Sequence, residues 1–268
     1  MTSSLLSARS LSKRYGAGIA LNNVDLDIHP GESVAIMGAS GSGKTTLLHV
    51  LAGITTPDSG SVNYAGTDVT ALNETSRSKL RREAFGFVFQ SGLLIPELTA
   101  IENVALALML NGVSRRDAEA QSATWLGHLG LAGMENRRIG ELSGGQAQRV
   151  AIARSQVTGA RIVFADEPTG ALDSTTSAEV MSALLNATAG RGNTLVLVTH
   201  DPTVASRCSR TLTMADGVLS QAPPSQSGPA TVIPFGQPNV PLGTTYMQHP
   251  ASPLAAHPSM GKEWTGRP

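Results

Sequence analysis

Ile36-Met37-Gly38-Ala39-Ser40-Gly41-Ser42-Gly43-Lys44-Thr45-Thr46-Leu47-Leu48 is the stretch that decides how this chain is read. From Gly38 to Thr45 it fills every fixed position of the phosphate-binding pattern G-x-x-x-x-G-K-[ST]. Ser33 to Met37 ahead of it is a short, mostly apolar run that predicts a buried strand. Thr45 to Ala52 behind it predicts a helix with Leu47, Leu48 and Leu51 on one face. Glycine lets backbone N–H groups converge on phosphate oxygens with no Cβ in the way. The helix N-terminus adds partial positive charge at the same place. Lys44 is expected to reach the outer phosphates, and the Thr45 hydroxyl to coordinate Mg2+. The stretch predicts binding of a nucleoside triphosphate.

Working outward, Leu5 to Arg14 and Ile19 to Ile28 read as strands around the turn Tyr15-Gly16-Ala17-Gly18. In the second, Val24, Leu26 and Ile28 alternate with Asn23, Asp25 and Asp27. Ser61 to Tyr64 is a short strand, Ser76 to Glu83 a basic helical stretch, and Phe85 to Phe89 an apolar strand ending at Gln90. Helical patterning then takes over from about 91 to 156. Thr99 with Glu102 three residues on predicts a capping box, and Ser114 with Asp117 a second helix start. Ile162 to Ala165 and Thr194 to Val198 are fully apolar strands around a helix from Ser174 to Ala187. Thr211 to Ala215 and Val218-Leu219 close the pattern.

Residues 1–220 thus read as one two-lobed α/β domain with an all-helical insertion at about 91–156. Composition breaks afterwards: ten of the fifteen prolines fall in 221–268, with only Lys262, Glu263 and Arg267 charged. That stretch reads as a disordered tail.

Twenty basic and twenty acidic side chains cancel, so no strong field argues for nucleic acid. Cys208, the single cysteine, excludes an internal disulfide framework and a multi-cysteine zinc site. No run approaches the ~18–20 apolar residues that span a bilayer, and Met1 to Arg9 lacks the pattern of a secretory signal. A cytoplasmic protein is expected, with any membrane role supplied through a partner.

Asp166-Glu167 directly follows an apolar strand, which is what a phosphate-loop enzyme needs on the strand beside its loop. Asp166 is expected to hold Mg2+, and Glu167 to orient or deprotonate the attacking water. Leu142-Ser143-Gly144-Gly145-Gln146 precedes a helical run through Val150 and Ala153. Ser143 suits an N-cap, and the two glycines bare the helix's first N–H groups, which makes a second anion site.

That motif resembles the signature of ATP-binding cassette (ABC) ATPases, and with it the rest of the chain falls into the family's order. Tyr15 resembles the aromatic that stacks on adenine. Gln90 resembles the glutamine that senses the metal and γ-phosphate, and Asp173 in Ala171-Leu172-Asp173 the aspartate that reaches the opposite subunit. His200 resembles the histidine that contacts the γ-phosphate and the attacking water. The resemblance covers about Leu5 to Leu219. It departs at Ala147 and at Ser155-Gln156-Val157, where no contact with nucleotide is expected.

What it implies is a RecA-like core lobe with an antiparallel β subdomain and an all-helical subdomain. It also implies ATP and Mg2+ as cofactors and a homodimer that shares each ATP head to tail. One chain would supply Gly38 to Thr46, and the other Ser143, Gly144, Gly145 and Gln146.

The surroundings of Gln90, from Phe89 to Val104, resemble ATPases paired with FtsX-like permeases, as does Ala165 to Ser174. The implied partner is an integral-membrane permease, and the implied location is the cytoplasmic face of the membrane. Leu93, Leu94 and Leu98 are the apolar contacts expected for it. The alternative is a soluble ABC-type ATPase acting on DNA or the ribosome. Chains of that kind interpose heptad coils or zinc cysteines, or carry two cassettes and a basic linker, and none of these is seen here.

Overall fold

The computed structural model describes residues 4–221. The expected tail, 221–268, lies outside them except for Gln221, whose backbone completes the last strand. β1 (Leu6–Tyr15) and β2 (Gly18–Ile28) form an antiparallel hairpin. Its two strands turn Leu6, Ala8, Leu11, Leu21, Val24 and Ile28 to the inside. β4 (Ser59–Tyr64) and the two-residue β5 (Thr67–Asp68) complete a four-stranded sheet in the order β2-β1-β4-β5.

β3 (Ser33–Met37) belongs to a different, six-stranded sheet. It joins β6 (Phe85–Phe89), β7 (Ile162–Asp166), β8 (Thr194–Thr199), β9 (Arg210–Ala215) and β10 (Val218–Gln221), in the order β10-β9-β3-β8-β7-β6. Only the β9–β10 pair is antiparallel. Strands covered on both faces need apolar runs rather than alternation. Ile162 to Ala165 and Leu195 to Val198 are accordingly inaccessible to solvent.

One core cluster fills the space between the two sheets around α1 (Lys44–Leu51). At its centre Phe164 meets Phe85 edge-on, with ring centroids 5.3 Å apart, and Phe87 at 5.9 Å. Losing such a buried ring typically costs ~3–5 kcal/mol.

The second cluster lies on the sheet's other face. There α3 (Ala100–Met109), α4 (Arg115–His128) and α5 (Gly144–Gln156) occupy the chain between β6 and β7, and α6 (Ser174–Ala187) follows β7. The expected caps are made. Thr99 and Glu102 form a capping box, and the Ser114 hydroxyl accepts from the Asp117 N–H. α2 (Glu74–Ala84) and a single turn, α7 (Pro202–Ala205), are the remaining α-helices of the described residues. No helix among the described residues is long and apolar enough to cross a membrane.

One expectation is corrected. The strand carrying Asp166 is not beside the phosphate-loop strand, because β8 stands between β3 and β7. The two ends still meet, since α1 leaves β3 and packs back over both β8 and β7.

Candidate active site

Parallel strands bring their carboxyl ends, and the loops that follow them, to one edge of a sheet. Here β3, β8 and β7 deliver the glycine loop, His200 and the Asp166-Glu167 pair to the same edge. Gly43 ends the loop at φ 103°, a left-handed conformation open mainly to glycine. A Cβ on Gly43 would lie 2.1 Å from the Ala20 carbonyl oxygen, and one on Gly38 would lie 2.2 Å from that of Met214. Both positions are closed to any side chain by neighbouring backbone. The loop is therefore a cradle of bare peptide groups, with Lys44, Thr45 and Thr46 opening α1 and pointing their N–H groups into it.

Lys44 is nearly buried, and its ammonium donates to the carbonyls of its own loop, at 2.8 Å to Gly38 and 2.9 Å to Ala39. The Thr45 hydroxyl donates to Asp166 Oδ1 at 3.2 Å. Burial pushes the Asp166 carboxyl above the ordinary aspartate range, and the Thr45 hydrogen bond partly opposes that.

Glu167 adopts φ 45°, unusual for a residue with a side chain. Its N–H donates to the Val198 carbonyl at 3.0 Å, so the bend is held by the sheet itself. The carboxylate is gripped from β8: Thr199 Oγ1 donates at 3.3 Å, and His200 Nδ1 stands 2.9 Å away. Strain of this kind costs ~1–3 kcal/mol and persists where surrounding structure enforces it.

A cavity of about 570 Å³ opens over these groups. It is lined by Ser40, Gly41, Gly43, Lys44, Thr45 and Thr46 from the loop and helix, by Glu167 and His200, by Gln90 and by Ala20. Gln90 is exposed at the end of β6, with its amide against Gly170. Ala39 lies exposed on the loop, while the Ser42 hydroxyl is buried and has no hydrogen-bond partner.

Six predicted positions stand apart from the cavity: Tyr15, Ser143, Gly144, Gly145, Gln146 and Asp173. Ser143 caps α5 by accepting from the Gln146 N–H at 3.2 Å, while Gln146 Oε1 accepts from the Ser143 N–H. A Cβ on Gly145 would lie 2.4 Å from Thr176 Cγ2, so this glycine also serves the close packing of α5 on α6. Asp173 caps α6, accepting from the N–H groups of Thr175 and Thr176 at 3.0 Å each. The Thr176 hydroxyl also donates to it, at 2.6 Å, and that bond first, then the N–H bonds, hold its carboxyl below the ordinary range. Tyr15 is 56% exposed at the end of β1, outside the cavity wall, with Lys13 Nζ 5.6 Å from its ring centre.

Sequence reasoning missed two members of the site. Ala20 contributes only a backbone carbonyl and a small side chain, which no pattern marks. Thr199 was legible as the polar end of an apolar strand, but not as a partner of Glu167.

The geometry is that of a phosphate-loop nucleoside triphosphatase. A family model described as "ABC transporter" matches residues 21–170. The lipoprotein-releasing system ATP-binding protein LolD of Geobacter metallireducens is 46% identical over 219 residues, which are 80% of this chain and 97% of LolD. The macrolide export ATP-binding/permease protein MacB of Nitrosomonas europaea is 47% identical over 218 residues, again 80% of this chain. Those residues are 33% of MacB, so the chain spans about a third of that relative's length. Among solved structures, the dimeric post-hydrolysis state of the ATP-binding cassette MJ0796, bound to ADP and Pi, is similar with a TM-score of 0.74 at 37% identity. It covers 81% of this chain and 98% of its own. The chain belongs to the ABC transporter family, as an ATP-hydrolysing cassette.

Proposed function

We propose that the chain is the ATPase subunit of a membrane transporter, working as a head-to-tail homodimer that drives a separate permease of FtsX-like type. The observation that carries the reading is the division of the phosphate-binding parts. Lys44, Thr45, Glu167 and His200 share one cavity, whereas the Ser143-Gly144-Gly145 turn stands apart from it. A turn built to receive an anion, but facing none of its own chain's site, suits the ATP of a second copy.

In this reading, residues 1–220 are the cassette and 91–156 its helical subdomain. Backbone N–H groups from Gly38 through Thr46, Ala39, Ser40, Gly41, Ser42 and Gly43 among them, receive the phosphates. Lys44 exchanges its own loop's carbonyls for the outer phosphate oxygens. Tyr15 stacks on the adenine, and Asp173 meets the partner subunit. Glu167, aimed by Thr199 and His200, orients the attacking water and accepts its proton, and His200 steadies the γ-phosphate.

Among the described residues no three His, Cys, Asp or Glu side chains cluster as a metal cage. Thr45, Asp166 and Gln90 are instead hard oxygen donors suited to Mg2+ that keeps phosphate and water in its shell. When bound there, the ion neutralises charge building on the phosphates.

The permease would sit on a groove of about 520 Å³ walled by Phe87, Phe89, Ala107, Leu110 and Arg82. Beside it Leu93 is 58% and Ile95 38% exposed. Leu94 and Leu98, expected to face outward, are half-buried, Leu94 packing against the helical core. The chain would then work at the cytoplasmic face of the membrane.

The test uses Glu167→Gln. ATP binding should persist, turnover should collapse, and gel filtration over a concentration series with ATP should show a dimer. A monomer at every concentration would count against the shared site. Capturing the wild-type chain's partners decides the rest. A membrane protein is expected, and its loss from Leu93→Asp/Ile95→Asp chains of unchanged melting temperature would support the groove. Recovery of DNA or ribosomes instead would sink the transporter reading.

A further inference from the structure

We propose that Arg154, assisted by Gln148, is the positioning residue for Gln90, binding the Gln90 loop to helix α5. The proposal rests on the reading of Gln90 as a group that meets the metal and the phosphates. Gln90 itself stands between two short stretches of backbone, and α5 holds both. On one side Gln148 Nε2 donates to the Phe89 carbonyl at 2.9 Å, from a side chain only 4% exposed. On the other, the Arg154 guanidinium donates to the Gly92 and Leu93 carbonyls, at 2.7 Å each.

The loop is shaped for that fork. Gly92 and Leu93 both take left-handed conformations, φ 68° and 45°, the second unusual for leucine. Their successive carbonyls meet a single planar group, which a point charge could not serve equally well.

The electrostatics point the same way. Burial pulls the Arg154 guanidinium below its ordinary pKa. No carboxylate among the described residues pairs with it, so a half-buried cation faces neutral carbonyls. Desolvating a charge is unfavourable unless hydrogen bonds satisfy it, and for Arg154 the Gly92 and Leu93 carbonyls do so. What these bonds hold is the one loop that carries Gln90 into the cavity.

α5 is itself firmly seated. A Cβ on Gly86 would fall 2.4 Å from the Ser155 carbonyl oxygen, so the helix end lies directly on β6, the strand that Gln90 terminates. Its other end begins at Ser143. A displacement of α5 therefore reaches Gln90 through Gln148 and Arg154. Arg154 also lines the groove proposed for the permease, so a partner seated there would touch the side chain that sets Gln90's position.

The test is a double-mutant cycle on the full chain, with Arg154→Met, Arg154→Lys, Gln90→Ala and the combined Arg154→Met/Gln90→Ala. The readouts are kcat and its Mg2+ dependence, KM for ATP, and melting temperature. Arg154→Met should lower kcat roughly ten- to a hundredfold and raise the Mg2+ needed for half-maximal rate, as expected when a reacting group is misplaced by about 1 Å. KM should change little. Arg154→Lys, the gentler variant should Arg154→Met fail to fold, should restore charge and melting temperature but not kcat.

The combined variant should be no slower than Gln90→Ala alone, because both changes remove the same positioned amide. Additive losses in a chain where Gln90→Ala is itself impaired would overturn the clamp and leave the functional reading standing. So would full rescue by lysine. Unimpaired turnover in Gln90→Ala would overturn both.

Discussion

Lys44 has two hydrogen-bond acceptors in its own loop, so its ammonium is already held where phosphate oxygens are expected. Binding then exchanges one set of oxygen acceptors for another rather than stripping a free ammonium of water. Alanine at this position removes the loop's mobile cation and leaves the backbone cradle in place. Lys44→Ala should therefore lower kcat/KM for ATP by at least ~100-fold, the scale seen when one preorganised donor to a charged transition state is lost. Steady-state hydrolysis checks this, and near-normal turnover would remove Lys44 from the mechanism. The same residue shows why the loop was legible in the sequence. Glycine, lysine and threonine are each required by type and by spacing, so the pattern leaves few alternatives. Ala20 shows the opposite case: its carbonyl crowds Gly43, and any small residue could supply that atom.

Helices and strands were readable to the extent that their ends carry their own chemistry. Thr99, Ser114 and Ser143 each cap a helix through a side chain whose partner lies three residues on. Strand order was not readable, because a run such as Ile162 to Ala165 says that both faces are covered and not which strand lies alongside. Gln148 and Arg154 were equally hidden, as polar positions in a helix whose acceptors lie some sixty residues earlier in the chain. Two expectations belong to this scale. Gly145→Ala should destabilise the fold by about 1–3 kcal/mol in chemical denaturation, as overpacking does. Thr176 cannot swing aside easily, because its hydroxyl is bonded to Asp173. Adding Thr176→Ser, which removes the obstructing methyl, should recover most of the loss, and failure to do so would place the strain elsewhere.

At the start of α2, Glu74 is held at a pKa of about 2 by hydrogen bonds from Arg81 first and Arg77 next. A carboxylate with a depressed folded-state pKa stabilises above its unfolded value, near ~4.3, and loses that contribution as the pH falls. Glu74→Gln should thus melt slightly below the wild type at pH 7, and the gap should close between pH ~4 and about 2. Added salt should narrow it too, since the pair is exposed. A gap that persisted unchanged to the acid end of the scan would assign the effect to packing.

For the molecule as a whole, the capped turn at Ser143 is no part of the cavity wall that holds the phosphate loop. In the proposed head-to-tail dimer each chain carries one half of two different sites, which has a consequence for mixtures. Take two lesions that are each silencing alone: Lys44→Ala on one chain, and Ser143→Arg, which blocks the turn, on another. Every site in either pure dimer contains a damaged half. A hybrid dimer gathers both lesions into one site and leaves the other intact. Mixing the two inactive preparations, with exchange of subunits allowed, should therefore generate ATPase activity that neither has by itself. Its dependence on the mixing ratio should peak at equal parts. Silence at every ratio would mean that each chain closes its own site, and that the separation of the turn from the cavity has no part in hydrolysis.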